Sequence, residues 1–125
     1  MRYRQSAMLN FLPKSRVAMP FSAEFAALEP LRTAVDALPG DVVLEFGVPW
    51  CPHCQLAQEP LAAVLARHPE LPHLKIEDAK GRPLGRSFQV KLWPTLLLLR
   101  GGRELARVVR PRTEADLAAL FNARP

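Results

Sequence analysis

The feature that most constrains this chain is a buried-strand pattern that runs into a pair of closely spaced cysteines. The run Val42–Phe46 is almost entirely apolar, which is typical of a central strand covered on both faces. The segment Trp50–Cys54 follows, reads Trp-Cys-Pro-His-Cys and contains both cysteines of the chain. We expect a helix to begin near Pro52, so the cysteines lie at a strand-to-helix junction.

This junction favours reversible disulfide chemistry. Cys51 is expected at the N-terminal end of the helix, where unpaired backbone N–H groups and the helix dipole favour a thiolate. The thiolate is the species that attacks in thiol–disulfide exchange. Cys54 follows one turn later and can close a ring with Cys51. An inert structural bridge is a poorer interpretation, because so short a loop gives little stabilisation.

Length and composition predict one soluble domain. The chain has 125 residues, of which 49% are hydrophobic and 23% charged, and no apolar stretch approaches the ~20 residues of a membrane span. We expect residues 1–20 to form an irregular N-terminal arm and residues 21–125 the domain. The apolar part of the arm is short and lacks a clear cleavage site, so we expect a cytoplasmic protein. In that compartment a single pair of cysteines at this spacing is more often catalytic or metal-binding than structural.

The positive charge is unevenly distributed. The formal net charge is +5, and the region 79–112 holds nine basic residues against one acid, Glu104. We interpret the excess as a solvated face, although such a bias could also steer acidic partners. Nucleic-acid binding is disfavoured, because no aromatic residues alternate with these charges and no binding motif is present.

Hydrophobic periodicity and turn residues predict an α/β order of elements. Gly101-Gly102 has the chemistry of a hairpin turn. The expected elements are a helix Pro30–Leu38, a strand Val42–Gly47, a helix from about Pro52 to Arg67, a strand His73–Glu77, a short helix or loop within 80–89, strands Thr95–Arg100 and Glu104–Arg110, and a helix capped at Thr113.

With these elements in place, the region Phe25–Phe121 resembles the thioredoxin family. The resemblance is carried by the Trp-Cys-x-x-Cys motif after a central strand, by Trp93-Pro94-Thr95, and by the Gly-Gly hairpin that follows. It implies a thioredoxin fold, in which helices flank a central mixed β-sheet of about four strands.

The resemblance also implies roles for individual residues. Cys51 would be the nucleophile and Cys54 the resolving thiol. Pro94 would be the cis-proline that faces the pair, and Trp93 would offer backbone hydrogen bonds to a substrate strand. Glu45 falls where the family usually keeps a buried acid, and it could shuttle the proton of Cys54.

Further substrate contacts are expected around the motif, and the dipeptide between the cysteines and the buried acid depart from the usual family pattern. We expect an exposed apolar rim at Trp50, extended by Pro52 and Thr95. The dipeptide between the cysteines is Pro-His rather than Gly-Pro, which resembles the periplasmic disulfide-introducing oxidases. His53 can share charge with the thiolate and make the disulfide more oxidising. The buried acid is Glu45, where aspartate is usual.

The function predicted from these residues is reduction of protein disulfides. The expected partners are disulfide-containing protein substrates and a separate reductase or thiol donor, with no bound cofactor and no membrane. We expect no metal, because His53, His68 and His73 form no recognised ligand spacing with the thiols. His68 and His73 are instead expected to be exposed loop residues. Two alternatives remain: a disulfide-donating oxidase or isomerase, and a non-enzymatic binding module or redox sensor whose basic face docks an acidic partner.

Overall fold

A computed structural model describes residues 21–124, so the arm expected at 1–20 lies outside the described residues. The elements, numbered in chain order, are α1 (Arg32–Asp36), β1 (Asp41–Gly47), α2 (Pro52–Leu65), β2 (His73–Glu77), α3 (Leu84–Ser87), β3 (Thr95–Arg100), β4 (Arg103–Val109), a 3-10 turn (Ala115–Leu117) and α4 (Ala118–Asn122). The expected α/β architecture is confirmed.

The four strands form one mixed sheet in the order β2-β1-β3-β4. β1 pairs in parallel with β2 and antiparallel with β3, and β3 pairs antiparallel with β4. This arrangement is the mixed sheet that the sequence predicts. Because β1 has a neighbour on both edges and cover on both faces, every residue of it after Asp41 is buried.

The two faces of β1 carry different clusters, which determines where its one acid points. Leu44 and Phe46 belong to the cluster that includes α1 and α3 residues, whereas Val43 packs with residues of α2. Side chains alternate along a strand, so Glu45 lies on the same face as Val43. The carboxylate is therefore directed towards the helix that begins at the cysteines.

Turn residues end the elements where their chemistry predicts. Gly101 and Gly102 have φ values of 57° and 82°, the left-handed pair that a type I′ hairpin requires.

The first helix is shorter than expected, because Leu31 is an extended N-cap residue with ψ 150°. The 3-10 turn comes before the last helix, and Thr113, two residues ahead of that turn, accepts a hydrogen bond at its Oγ1 from the Asp116 N–H at 3.2 Å.

Candidate functional site

Cys51 lies where β1 has ended and α2 begins. It is the N-cap residue of this 14-residue helix, and its Sγ accepts a hydrogen bond from the Cys54 N–H at 3.3 Å. Both thiols are free and buried. A sulfur that accepts a helix N–H at this position is stabilised in its anionic form by that bond and by the helix dipole. The geometry therefore suits Cys51 to act as the attacking sulfur.

Cys54 is in a different environment, one turn further along the same helix. Burial, the hydrogen bond with the Cys51 side chain and the negative charge of nearby Glu45 raise the pKa of Cys54 to about 12. Cys54 therefore keeps its proton near neutral pH. It needs a base before it can attack another sulfur.

Gly47 lets the Cys54 thiol and the Pro94 loop come close together. A Cβ placed on Gly47 would lie 2.6 Å from Cys54 Sγ and 3.9 Å from Pro94 Cβ. The first distance is too short for any real contact, so a side chain here would push the sulfur away. The end of β1 is therefore shaped around the resolving thiol.

Replacement of Gly47 by alanine is expected to slow disulfide reduction and to destabilise the fold by about 1–3 kcal/mol through overpacking. Urea unfolding and insulin reduction measure the two effects. The control is Gly40→Ala, whose Cβ would meet nothing within 4 Å but whose backbone φ is 68°. The Gly40→Ala variant should have a lower free energy of unfolding, but its folded form should reduce insulin as fast as the wild type does. Equal activity of the two variants would argue against close packing at Cys54.

Glu45 is the buried acid of this site. Its side chain is 1% exposed, and it accepts hydrogen bonds from Gln58 Nε2 at 2.8 Å and from His73 Nε2 at 2.9 Å. The prediction that His73 is an exposed loop residue is wrong. His73 begins β2 beside Val43, and this register brings its ring to the same face as Glu45.

The backbone N–H of Ser22 fixes the tautomer of His73. It donates to His73 Nδ1 at 2.8 Å, so that nitrogen carries no proton in this arrangement. His73 Nε2 then carries the ring proton and donates it to Glu45 Oε1. Both oxygens of Glu45 thus face donors, which is the environment that an ionised carboxylate requires.

Gln58 connects this carboxylate to the cysteine helix and to a buried cation. Its Nε2 also donates to the Cys54 carbonyl at 2.9 Å, and its Oε1 accepts from Lys75 Nζ at 2.9 Å. Gln58 and Lys75 were not singled out from the sequence. The available signal was the pair of polar residues two apart in β2, since positions 73 and 75 must share one face of a strand.

The residues between the cysteines show no such network. Pro52 is exposed at the first position of α2, and His53 is half-buried. Within residues 21–124 no side-chain hydrogen bond involves His53. The predicted effect of its charge on the disulfide stays a prediction.

An apolar rim lies beside the cysteines, at the positions expected to receive substrate. Trp50 is 70% exposed, and its ring lies 5.7 Å from the ring of Trp93 in an edge-to-face arrangement. Trp93 also packs against the cysteines. The Trp93–Pro94 peptide bond is cis, as the resemblance implies. Pro94 and Thr95 are both buried. Thr95 therefore does not line the surface; its hydroxyl donates a hydrogen bond to the Leu92 carbonyl and so supports the loop.

Arg110 is a residue of the rim that the sequence did not reveal. Its backbone N–H donates to the Pro94 carbonyl and its Nε to the Trp93 carbonyl, both at 2.8 Å. Its φ of 54° is unusual for a residue with a side chain. Because Arg110 already donates to the Trp93 carbonyl, a substrate strand would have to share or displace that guanidinium.

The described region contains neither a candidate metal centre nor a membrane span. Between residues 21 and 124, no three or more His, Cys, Asp or Glu side chains are grouped so as to hold a metal ion. No helix in the same region is long and apolar enough to cross a bilayer.

The fold and the cysteine pair define a thioredoxin-like protein, and sequence comparison identifies the family. The thioredoxin family model matches residues 26–123. The chain therefore belongs to the thioredoxin family.

Individual relatives agree with this assignment. The reduced form of thioredoxin 2 from Pseudomonas aeruginosa PAO1 is 51% identical, with a TM-score of 0.74 over 82% of this chain and 95% of that chain. The thioredoxin of Chlamydia muridarum is 33% identical over 84 residues, which are 66% of this chain and 81% of that protein. Thioredoxin H2-1 of Oryza sativa subsp. japonica is 29% identical over 68 residues, which are 54% of this chain and 49% of that protein.

The chain spans about half or less of the length of the first curated relatives that it matches. The relatives and the structural neighbours agree on the thioredoxin fold and on the family.

Proposed function

We propose that this protein is a thioredoxin-type oxidoreductase that reduces protein disulfides through Cys51 and Cys54. The observation that carries the proposal is the asymmetry of the two thiols. Cys51 Sγ accepts an N–H at the start of α2, whereas burial raises the pKa of Cys54 to about 12. One sulfur is thus suited to attack, and the other stays protonated until a base removes its proton.

The first step is attack by the Cys51 thiolate on one sulfur of a substrate disulfide. A bond forms between Cys51 and that sulfur while the substrate S–S bond breaks. The electron pair leaves with the second substrate sulfur, which takes a proton from water. The product is a mixed disulfide between the enzyme and its substrate.

The second step releases the substrate. Glu45 accepts the proton of Cys54, whose sulfur then attacks Cys51 Sγ and displaces the remaining substrate sulfur as a thiolate. Two electrons have then passed from the cysteine pair to the substrate, and the Cys51–Cys54 disulfide remains. This role of Glu45 is supported by its influence on the pKa of Cys54 and by the Gln58 bridge between them.

The exposed surface around the pair supports binding of an extended substrate segment. Trp50 and Pro52 offer exposed apolar area, and Trp93 lies between this area and the buried Pro94. We assign to these four residues contact with the substrate or positioning of the loop that contacts it. Thr95 is buried and supports the loop through the hydrogen bond from its hydroxyl to the Leu92 carbonyl.

The remaining partners follow from the reaction. Thiol–disulfide exchange needs no bound cofactor, and the oxidised pair must be reduced again by a separate reductase or another thiol. We also propose a cytoplasmic location, because both cysteines belong to the reactive pair, as is common where structural disulfides are rare. Cell fractionation tests this location.

Insulin reduction and a redox titration test the proposed function. Reduced protein should accelerate the reduction of insulin by dithiothreitol, and the Cys51→Ser variant should not. Equilibration with glutathione should give a potential closer to the ~−270 mV of thioredoxin than to the ~−120 mV of a strong disulfide oxidant. The more oxidising value would contradict a reducing role and support the predicted effect of His53.

A further inference from the structure

A basic cavity lies beside the substrate rim and has no part in the reaction steps above. Its volume is about 550 Å³, and Trp93 forms one wall. The charged side chains that line it are Lys80, Arg82, Arg86, Lys91 and a single acid, Asp78. The excess of positive charge found in the sequence is thus partly gathered around a concavity.

Among the residues that the structure describes, the four cations of the basic cavity lack side-chain partners. Within residues 21–124, none of their side chains takes part in a hydrogen bond or an ion pair. Five arginines elsewhere are paired with acids, namely Arg32, Arg67, Arg100, Arg107 and Arg124, whereas Arg103 and Arg112 also lack side-chain partners among residues 21–124. Four unpaired cations therefore surround one cavity, where a single ligand could contact several of them.

Nearby acids offset only part of this charge. Asp78 Oδ2 already accepts a hydrogen bond from Trp93 Nε1 at 2.8 Å. Glu29 lies close enough to Arg82 for their charges to interact. Two acids against four cations leave a net positive charge, and a concave surface concentrates the resulting potential.

The basic cavity adjoins the site of disulfide exchange through Trp93. The same indole contacts the cysteine cluster and the ring of Trp50. Arg110 brings a further cation to this loop, since its Nε donates to the Trp93 carbonyl. A substrate segment that binds along the loop would therefore meet positive charge both at the cavity and at Arg110.

We propose that the basic cavity and Arg110 select protein substrates that carry acidic residues beside their reactive disulfide. The inference rests on the proposed function and names the substrate class of the same site. Carboxylates are among the groups that lysines and arginines bind in proteins, and complementary charge raises the rate of encounter.

Two peptides with one internal disulfide each test the proposal. One peptide carries three acidic residues next to a cysteine, and the other carries serines there. The wild type should show a higher kcat/KM for the acidic peptide, and the preference should weaken as salt screens the charges. In Arg86→Gln and in Lys91→Gln, the acidic-to-neutral ratio of kcat/KM should fall about two- to fivefold, the effect expected of an exposed ion pair.

Arg103→Gln is the matched control, because it removes one exposed cation at the opposite end of the sheet from the cysteines. The acidic-to-neutral ratio of kcat/KM for this variant should equal that of the wild type. Lys91→Glu, which leaves three cations against three acids around the cavity, should weaken the preference more than Lys91→Gln does. Equal rates for the two peptides, or equal effects of Arg86→Gln and Arg103→Gln, would overturn the substrate preference. Failure of the wild type to reduce either peptide would instead contradict the proposed function.

Discussion

Replacement of Cys54 by serine is expected to stop turnover and to leave the substrate covalently bound to Cys51. The first step needs only the Cys51 sulfur, which keeps its place at the start of α2. The second step needs the Cys54 sulfur, and a hydroxyl cannot replace it. Insulin reduction should fall on the order of 10²-fold or more, the scale seen when a covalent step is lost. Mass spectrometry without reductant should find one half of a peptide disulfide on Cys51.

The matched variant, Cys51→Ser, should lose turnover without forming this adduct at a comparable rate. Circular dichroism should show both variants folded, since serine is close to cysteine in size. In the Cys51→Ser protein, an adduct could form on Cys54. If it formed as fast as the adduct on Cys51 of the Cys54→Ser protein, the assigned roles would be reversed. Turnover that survives in Cys51→Ser would contradict the mechanism.

The second large effect is expected from Glu45→Gln, which should slow release of the mixed disulfide near neutral pH. The pKa of Cys54 is raised to about 12, first by burial, so almost none of its thiolate exists without a base. The amide cannot accept the proton. We expect the release rate to fall on the order of 10²-fold, which is typical when a general base is lost.

The dependence on pH distinguishes loss of a base from structural damage. Below its raised pKa, the thiolate fraction of Cys54 grows about tenfold per pH unit, so the deficit of Glu45→Gln should shrink as pH rises. Stopped-flow tryptophan fluorescence can follow the release step. Glu59→Gln, an exposed change on the same helix, should leave the rate unchanged at every pH. A deficit that stayed constant with pH would count against proton transfer to Glu45.

Much of the scaffold follows from local patterns in the sequence. The strands His73–Glu77 and Thr95–Arg100 end where the sequence predicts. The first alternates apolar and polar residues, the second is an apolar run, and turn residues flank them. The buried position of Glu45 was also predicted, since its neighbours in β1 are apolar. Local order and burial are thus the parts of this fold that adjacent residues determine.

The network around Glu45 was not predictable in the same way. His73 is separated from Glu45 by 28 residues, and only the parallel register of β1 and β2 brings the two side chains together. The same register places Lys75 opposite Glu45. Arg110 likewise depends on the pairing of β3 with β4 and on a left-handed backbone. Such contacts depend on tertiary register, which hydrophobic periodicity does not specify.

The most direct test of the central claim is to find which thiol of the unmodified, reduced protein reacts first. Reduced protein would be treated with a limiting amount of iodoacetamide near neutral pH, and the modified peptide would be located by mass spectrometry. The asymmetry of the site predicts modification of Cys51 with Cys54 left as a thiol. Modification of Cys54 first, or of both at equal rates, would contradict the account.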